Sequence, residues 1–304
     1  MTEPTTVRIE SGDVQLIADR YGDASDPPVV LLHGGGQTRH SWRRTAEDLS
    51  TRGWSTYAVD LRGHGDSEWS PDQAYGLEDF ADDVCRIVDY VGAPPVLVGA
   101  SLGGNSSLAA LGRRSDMALG LVLVDVSPFL QPAGTGRIRD FMSANARDGF
   151  ASLDEAADAI AAYLPHRPRP ATHSGLEKNL RQRDGRWYWH WDPAFLAEPS
   201  DQPVQRNRLI DPVALGAASS GLRIPTMLVR GGESDVLSEE DAIHFLRLVP
   251  HAEYATVVGA HHMVAGDDNA VFEEVLRDFL ERRIRSRLEL LNRRVAASDR
   301  PSHP

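Results

Sequence analysis

The chain has a single cysteine, Cys85, in 304 residues. No intramolecular disulfide can form, which excludes a disulfide-stapled scaffold and makes a reducing, cytoplasmic setting the expectation. Cys85 lies among Phe80, Val84, Ile87, Val88 and Val91 at helical spacing, so it reads as a packing residue rather than a thiol nucleophile. The N-terminal stretch MTEPTTVRIESGDVQL has no basic segment followed by an apolar run, so no signal peptide is read there. No stretch approaches the roughly 20 apolar residues that a membrane helix needs. Basic charge is also scarce: 32 Lys and Arg stand against 44 Asp and Glu, a formal net charge of -12. A nucleic-acid backbone as partner is therefore not expected, since a basic footprint would be required. Internal repeats are absent. The expected partner is a small-molecule substrate, with no nucleic acid and no membrane; a homodimer is the assembly allowed for.

Hydrophobic residues (41%) and charged residues (25%) fall in the ordinary globular range. The length suits one large domain, or a core with a smaller insertion. The first half alternates strand-like and helix-like segments. VRIESGDVQLIADRYG reads as an antiparallel pair turning at Ser11-Gly12-Asp13. PPVVLLHGGG, STYAVD, PPVLVGAS and LGLVLVDVSP are short apolar runs of the kind buried on both faces of a sheet. Between them HSWRRTAEDLSTRG, the segment around Asp79–Val91, and Leu102 to about Arg113 read as helices. This alternation specifies an α/β fold, a mostly parallel twisted sheet with helices on both faces.

The pattern breaks after Pro128. From about 129 to 222 there is no convincing buried strand, only helical pieces, a Pro/Arg/His stretch and the aromatic cluster RWYWHWDPAFL. RIPTMLVRGG and AEYATVVGAHH then restore the strand signal. Residues 1–127 and 222–304 are thus expected to form the core, with 128–221 as an inserted, mainly helical unit. A final helix is expected from near Asn269 to about Val295, followed by a frayed tail.

Gly99-Ala100-Ser101-Leu102-Gly103 matches G-x-S-x-G. The pentapeptide alone is weak evidence, but here a buried strand precedes it and a helix follows. That context suits a sharp turn presenting a serine hydroxyl above the sheet edge, with glycines letting backbone segments pass closely. A serine needs a base to take its proton. Of eleven histidines, His261 and His262 follow the last predicted strand and reach the same sheet edge as Ser101. Metal binding by this pair is disfavoured, because no carboxylate or cysteine cluster accompanies it. The acid that orients the base should fall between the two in the chain. Asp235, in the loop RGGESDVLS, is preferred. Asp125, at the end of LVLVDV, is the alternative, or else lines the pocket or ties down the start of the insertion. Donors for a developing oxyanion are expected from the Leu102 amide and from the loop His33-Gly34-Gly35-Gly36, with Gly35 chosen and Gly36 close behind. His33 itself reads as structural. The loop DLRGHGDS at 60–67 lacks a phosphate-cradle pattern and reads as a structural turn tied by Asp60, Arg62 and His64.

Together, HGGG at 33–36, DLRGHGDS at 60–67, GASLGG at 99–104, RGGESD at 230–235 and GAHHMVAGDD at 259–268 resemble the α/β-hydrolase superfamily, over about residues 7–127 and 222–282. Relatives usually carry G-x-G-H in the last motif. Here His261 replaces the second glycine, so the resemblance implies His262 as the base. It also implies that the insertion is a helical cap over the active site. A serine nucleophile, rather than the aspartate of epoxide hydrolases and haloalkane dehalogenases, implies acyl chemistry without a metal or organic cofactor. The implied activity is hydrolysis of an ester, lactone or related acyl bond in a small, fairly apolar molecule. The alternatives are a cofactor-free perhydrolase or a C–C bond hydrolase with the same triad, and a non-catalytic receptor of the same fold. Trp42, Phe129, Trp187 and Trp189 are candidates to line the substrate pocket, with packing of the cap as the competing role for the tryptophans.

Overall fold

The computed structural model describes residues 3–167, 169, 173, 175–196, 209–264 and 270–289. In chain order the strands are β1 (Thr5–Ser11), β2 (Val14–Tyr21), β3 (Pro28–Leu32), β4 (Ser55–Asp60), β5 (Val96–Ala100), β6 (Gly120–Val124), β7 (Leu180–Arg183), β8 (Arg186–Trp189), β9 (Thr226–Gly231) and β10 (Glu253–Val257). The helices are α1 (Arg43–Ser50), α2 (Leu77–Val91), α3 (Leu102–Arg113), α4 (Pro132–Ser143), α5 (Leu153–Tyr163), α6 (Pro212–Gly221), α7 (Glu239–Leu248) and α8 (Ala270–Phe279). Eight strands form one sheet in the order β1-β2-β4-β3-β5-β6-β9-β10. β1 and β2, and β2 and β4, pair antiparallel, and every later neighbour pairs parallel.

The buried strands divide their side chains between two cores with a period of two, as strand geometry requires. Val30 and Leu32 of β3, Leu97 of β5, Leu121 and Leu123 of β6 and Leu228 of β9 enter one cluster with α2, α3 and α7. Val29 and Leu31, Val96 and Val98, Val122 and Val124, and Met227 and Val229 enter the other, with α1 and α8. Each face therefore carries its own helical layer. Helix α2 turns Leu77, Phe80, Ala81, Val84, Ile87 and Val88 inward and ends at Gly92, whose φ of 76° provides the left-handed cap. Cys85 is half-buried against the first cluster, the packing role read for it.

Between β6 and β9 the chain leaves the sheet, and this insertion is not wholly helical. β7 and β8 form an antiparallel hairpin through Asp184-Gly185, and Phe150 pairs with Trp187 beside it. The reason is local: RWYW is rich in aromatic side chains suited to a strand, and Asp-Gly supplies the two positive φ angles of a tight hairpin turn. Helix α6 packs on α3 of the sheet domain, with Ala218 against Gly112, so its allegiance is to the core although it lies before residue 222. Helix α8 begins at Ala270 and continues through a π-type turn at Leu280–Arg285. The expected extension toward residue 295 and the tail lie outside the described residues beyond 289. Among the described residues no helix is long and apolar enough to cross a membrane.

A buried ion pair braces the loop after β4. Arg62, 4% exposed, places two guanidinium nitrogens 2.6 and 2.7 Å from the carboxylate of Asp83, which has no exposure at all. Ser11 donates to the same carboxylate. Two desolvated charges cost much unless both are satisfied, and removing one partner strands the other. Asp83→Ala is expected to lower the free energy of unfolding by about 3–5 kcal/mol, measured by urea denaturation.

Candidate active site

Four parallel strands deliver the candidate residues to one sheet edge. Their carboxyl ends carry Gly34–Gly36 after β3, Ser101 after β5, Asp125 after β6 and His262 after β10. At Ser101 the backbone adopts φ 46° and ψ -110°, a strained conformation for a residue with a side chain. The turn is that tight because its neighbours have no Cβ. A methyl group on Gly99 would lie 2.5 Å from the Gly103 carbonyl, and one on Gly103 2.5 Å from the Leu32 oxygen. Such contacts fix β5, α3 and β3 around the serine.

Ser101 and His262 line the same cavity, of about 460 Å³. His262 Nδ1 lies 2.7 Å from Asp125 Oδ2. Asp125 has no exposed side-chain surface, and His262 keeps 16%. A carboxylate accepts only, so the Nδ1 proton of His262 donates to it and Nε2 remains directed elsewhere. Asp125 also accepts from the Gly231 amide at 2.8 Å and from the Ser234 hydroxyl. Three donors thus compensate the buried charge.

This geometry corrects the preference for Asp235. Its carboxylate pairs with Arg137 of α4, on the protein surface. The loop after β9 turns back at Ser234, sending that hydroxyl to Asp125 and Asp235 outward to the insertion. The two acids therefore exchange the expected roles: Asp125 meets the histidine, and Asp235 ties down the insertion. The choice between histidines is equally visible. His261 stacks on His166, with ring centroids 3.6 Å apart, and leaves the Asp125 position to its neighbour.

Residues Gly34–Gln37 form a turn closed by the Gln37 amide donating to the Gly34 carbonyl at 3.1 Å. Gly36 takes the positive φ, 74°, that such a turn needs at its third residue. The Gly34 amide donates to Gln37 Oε1, and the Gly103 amide to the His33 carbonyl. The Gly35 and Leu102 amides have no acceptor among the described residues. Gly35 and Leu102 both line the cavity, and Leu102 opens α3, whose N-terminus favours negative charge. His33 is spent on structure: Nδ1–H donates to the Gly34 carbonyl, and Nε2 accepts from the Leu61 amide. The 60–67 loop is likewise structural. Asp60 pairs with Arg39 and accepts from the Asp66 amide, and His64 donates to the Arg62 carbonyl.

None of the four proposed lining residues reaches the cavity. Trp42 is fully buried on the opposite face of the sheet, against Phe272 of α8. The Arg39–Trp42 turn carries it over the edge into that core. Phe129 stacks on His244 of α7 at 3.9 Å. Trp187 is occupied in the hairpin, and Trp189 packs within the insertion against Trp191, Phe141 and Phe150. The aromatic cluster is thus the insertion's own core. The wall comes instead from α4, where Thr135, Ile138, Arg139 and Met142 line the cavity. Their spacing is i, i+3, i+4, i+7, which places them on one face of the helix. Phe195 and Tyr163 add aromatic surface. Among the described residues no group of three or more His, Cys, Asp or Glu could hold a metal ion.

Comparison with known proteins agrees with this layout. The profile of the alpha/beta hydrolase fold matches residues 27–268. The chain is 29% identical over 287 residues to an esterase of Mycobacterium tuberculosis, covering 92% of this chain and 90% of the esterase. It is 29% identical over 281 residues to an sn-1-specific diacylglycerol lipase of Mus musculus, covering 89% and 88% respectively. A crystal structure of E-2-(acetamidomethylene)succinate hydrolase superposes with a TM-score of 0.77 at 25% identity, covering 91% of this chain and 99% of that one.

Behind the cavity, His33, His64 and His190 are buried with successive ring centroids 5.3 and 5.9 Å apart. Burial holds His33 down to about 4 and His64 to about 3, against 6.5 for an exposed imidazole, and lowers His190 as well. Between those values the unfolded chain binds protons that the folded chain refuses. Stability is therefore full above pH 6.5 and falls as the pH drops toward 4, by up to about 1.4 kcal/mol per pH unit for each histidine. Urea midpoints measured from pH 7 to pH 4.5 should trace this decline. His64→Asn, which keeps a donor for the Arg62 carbonyl, should make it shallower.

Proposed function

The chain belongs to the α/β-hydrolase family of enzymes, and on that premise we propose that it hydrolyses an ester or related acyl bond of a small, apolar molecule through Ser101, His262 and Asp125. The observation that carries this reading is the 2.7 Å bond between His262 and the buried Asp125, at the edge of the cavity that Ser101 lines. With its Nδ1 proton held by Asp125, His262 has Nε2 available to accept the serine proton. Ser101 Oγ then bonds to the acyl carbon, and the carbonyl electrons move onto oxygen. The amides of Leu102 and Gly35 are the donors for that oxyanion. Collapse of the tetrahedral intermediate breaks the bond to the leaving oxygen, which takes the proton from His262. Water, deprotonated by the same imidazole, attacks the acyl-enzyme and releases the acid and free Ser101.

The lining supports an apolar acyl or aryl group. Leu130, Ile138, Phe141, Met142, Leu209 and Val236 present hydrocarbon, and the volume of about 460 Å³ suits a small to medium ligand. The relatives' names point the same way, since an esterase and a diacylglycerol lipase both act on esters.

Ser101→Ala is expected to lower kcat for p-nitrophenyl butyrate by at least about 1,000-fold and to abolish labelling by a fluorophosphonate probe. Undiminished turnover by the folded variant would sink the assignment. The two acids are separated by a second pair of variants. Asp125→Asn should cost about 1,000- to 10,000-fold in kcat, because the amide favours the wrong imidazole tautomer. Asp235→Asn removes only a surface ion pair and should leave kcat within about threefold. The reverse ranking would restore Asp235.

A further inference from the structure

One buried side chain of the insertion reaches the loop that supplies the oxyanion amide. His190 follows β8 and is 1% exposed. Its Nδ1 lies 2.8 Å from the Gly65 nitrogen, and its Nε2 lies 3.3 Å from the Gly36 carbonyl oxygen. These two partners determine the tautomer. A backbone amide can only donate, so Nδ1 accepts and carries no proton. The proton of the neutral ring is therefore on Nε2 and is donated to Gly36. A doubly protonated ring would lose the acceptor that Gly65 needs, and His64 beside it adds no compensating negative charge.

We infer that His190 is a positioning residue for the oxyanion site, fixing the Gly34–Gln37 turn through its Nε2–H bond to the Gly36 carbonyl. This rests on the hydrolase reading above. The turn is a closed unit: its ends are joined by the Gln37 amide and the Gly34 carbonyl, and Gln37 Oε1 holds the Gly34 amide. Its two central residues are glycines, which lack side chains to hold them. On the outer side a hold exists at Gly36, and it comes from His190. A turn tethered at Gly36 keeps the Gly35 amide at a fixed attitude to Ser101, whereas an untethered Gly-Gly pair would rotate its peptide planes.

The anchor itself is rigid. The Asp192 amide donates to the Gly63 carbonyl at 2.9 Å, and Tyr75 donates to the Asp192 carboxylate at 2.6 Å. Arg181 of β7 donates to the Gly65 carbonyl at 2.8 Å. The hairpin is thereby fastened to the 60–67 loop on both sides of His190. Phe195, just downstream, packs its ring edge against His64 and lines the same cavity as Gly35. The insertion thus acts on catalysis through the backbone of the oxyanion loop, besides covering the pocket.

Two substitutions divide the bonds of His190. His190→Gln places an amide nitrogen near Nε2 and keeps the donor to Gly36. His190→Asn places an amide oxygen near Nδ1 and keeps only the acceptor for Gly65. For p-nitrophenyl butyrate, His190→Asn is expected to lower kcat on the order of 10- to 100-fold with KM within about twofold. His190→Gln should recover at least tenfold of that loss. Affinity for a boronic acid, whose tetrahedral adduct on Ser101 needs the same amides, should follow kcat. Equal kcat in the two variants, or a loss confined to KM, overturns the inference. Should either variant fail to fold, 15N-histidine NMR of the wild-type protein decides: an Nε2–H tautomer for His190 is required, and Nδ1–H overturns it. A wild-type protein that neither turns over the ester nor labels at Ser101 would instead overturn the hydrolase reading.

Discussion

A fully buried carboxylate at the end of β6 holds the site together. Asp125 collects the Gly231 amide at the end of β9, the Ser234 hydroxyl from the loop beyond it, and His262 from the loop after β10. A desolvated charge must find such donors or stay protonated. Its own backbone, with φ 51°, is turned out of strand geometry to meet them. Satisfying one buried charge therefore fixes the relative positions of three strand ends. The serine depends on the same edge, since the Ser101 amide donates to the Val124 carbonyl, the residue before Asp125. Displacing β6 by one residue would lose the Asp125–His262 bond and the support of the Ser101 turn together.

The second layer of constraint lies behind the Gly34–Gln37 turn, where polarity is buried without charge. His33, His64 and His190 are each neutral, and each is oriented by backbone groups. Three apolar residues there would avoid the acid sensitivity that burial of imidazoles brings. They could not, however, hold the carbonyls and amides of three different loops at once. His33 joins the Gly34–Gln37 turn to the start of the 60–67 loop, and His190 joins both to the insertion. Among the described residues the His64 Nε2 has no hydrogen-bond partner, and the arrangement accepts the acid sensitivity of the buried rings. It favours backbone position over free energy of folding, a balance expected near reacting groups.

How much of this was legible in the sequence depends on the range of the interaction. The sheet was, because fully buried parallel strands read as short apolar runs and the two-residue period of their side chains needs no tertiary information. The Ser101 turn was legible for the same reason, since its glycines, strand and helix are contiguous. The acid was not. Asp125 and Asp235 both follow strands that end at the same edge, and the chain order permits either. What separates them is the fold of the loop after β9, where Ser234 turns inward and Asp235 outward. One signal did point to Asp125: a carboxylate inside LVLVDV is headed for burial, and a buried carboxylate needs donors. Asp235 stands among Glu, Ser and Gly, where solvent or a surface arginine suffices.

The aromatic segment was misleading for a different physical reason. A small inserted layer has little volume and much surface, so large rings are needed to give it a core of its own. Trp189, Trp191 and Phe150 do that without lining the cavity, which their neighbour Phe141 reaches. The lining falls instead to α4, where mixed composition hides the helical period of Thr135, Ile138, Arg139 and Met142. Residues that must stay in contact with a changing occupant are better drawn from flexible side chains such as Met142 than from rings locked in a core. The hairpin that those rings stabilise then serves as a fixed mount. It carries His190 to the Gly34–Gln37 turn and Phe195 to the pocket wall. In this arrangement packing and chemistry meet at the carboxyl end of a single strand, β8, with Trp189 directed to the first and His190, the next residue, to the second.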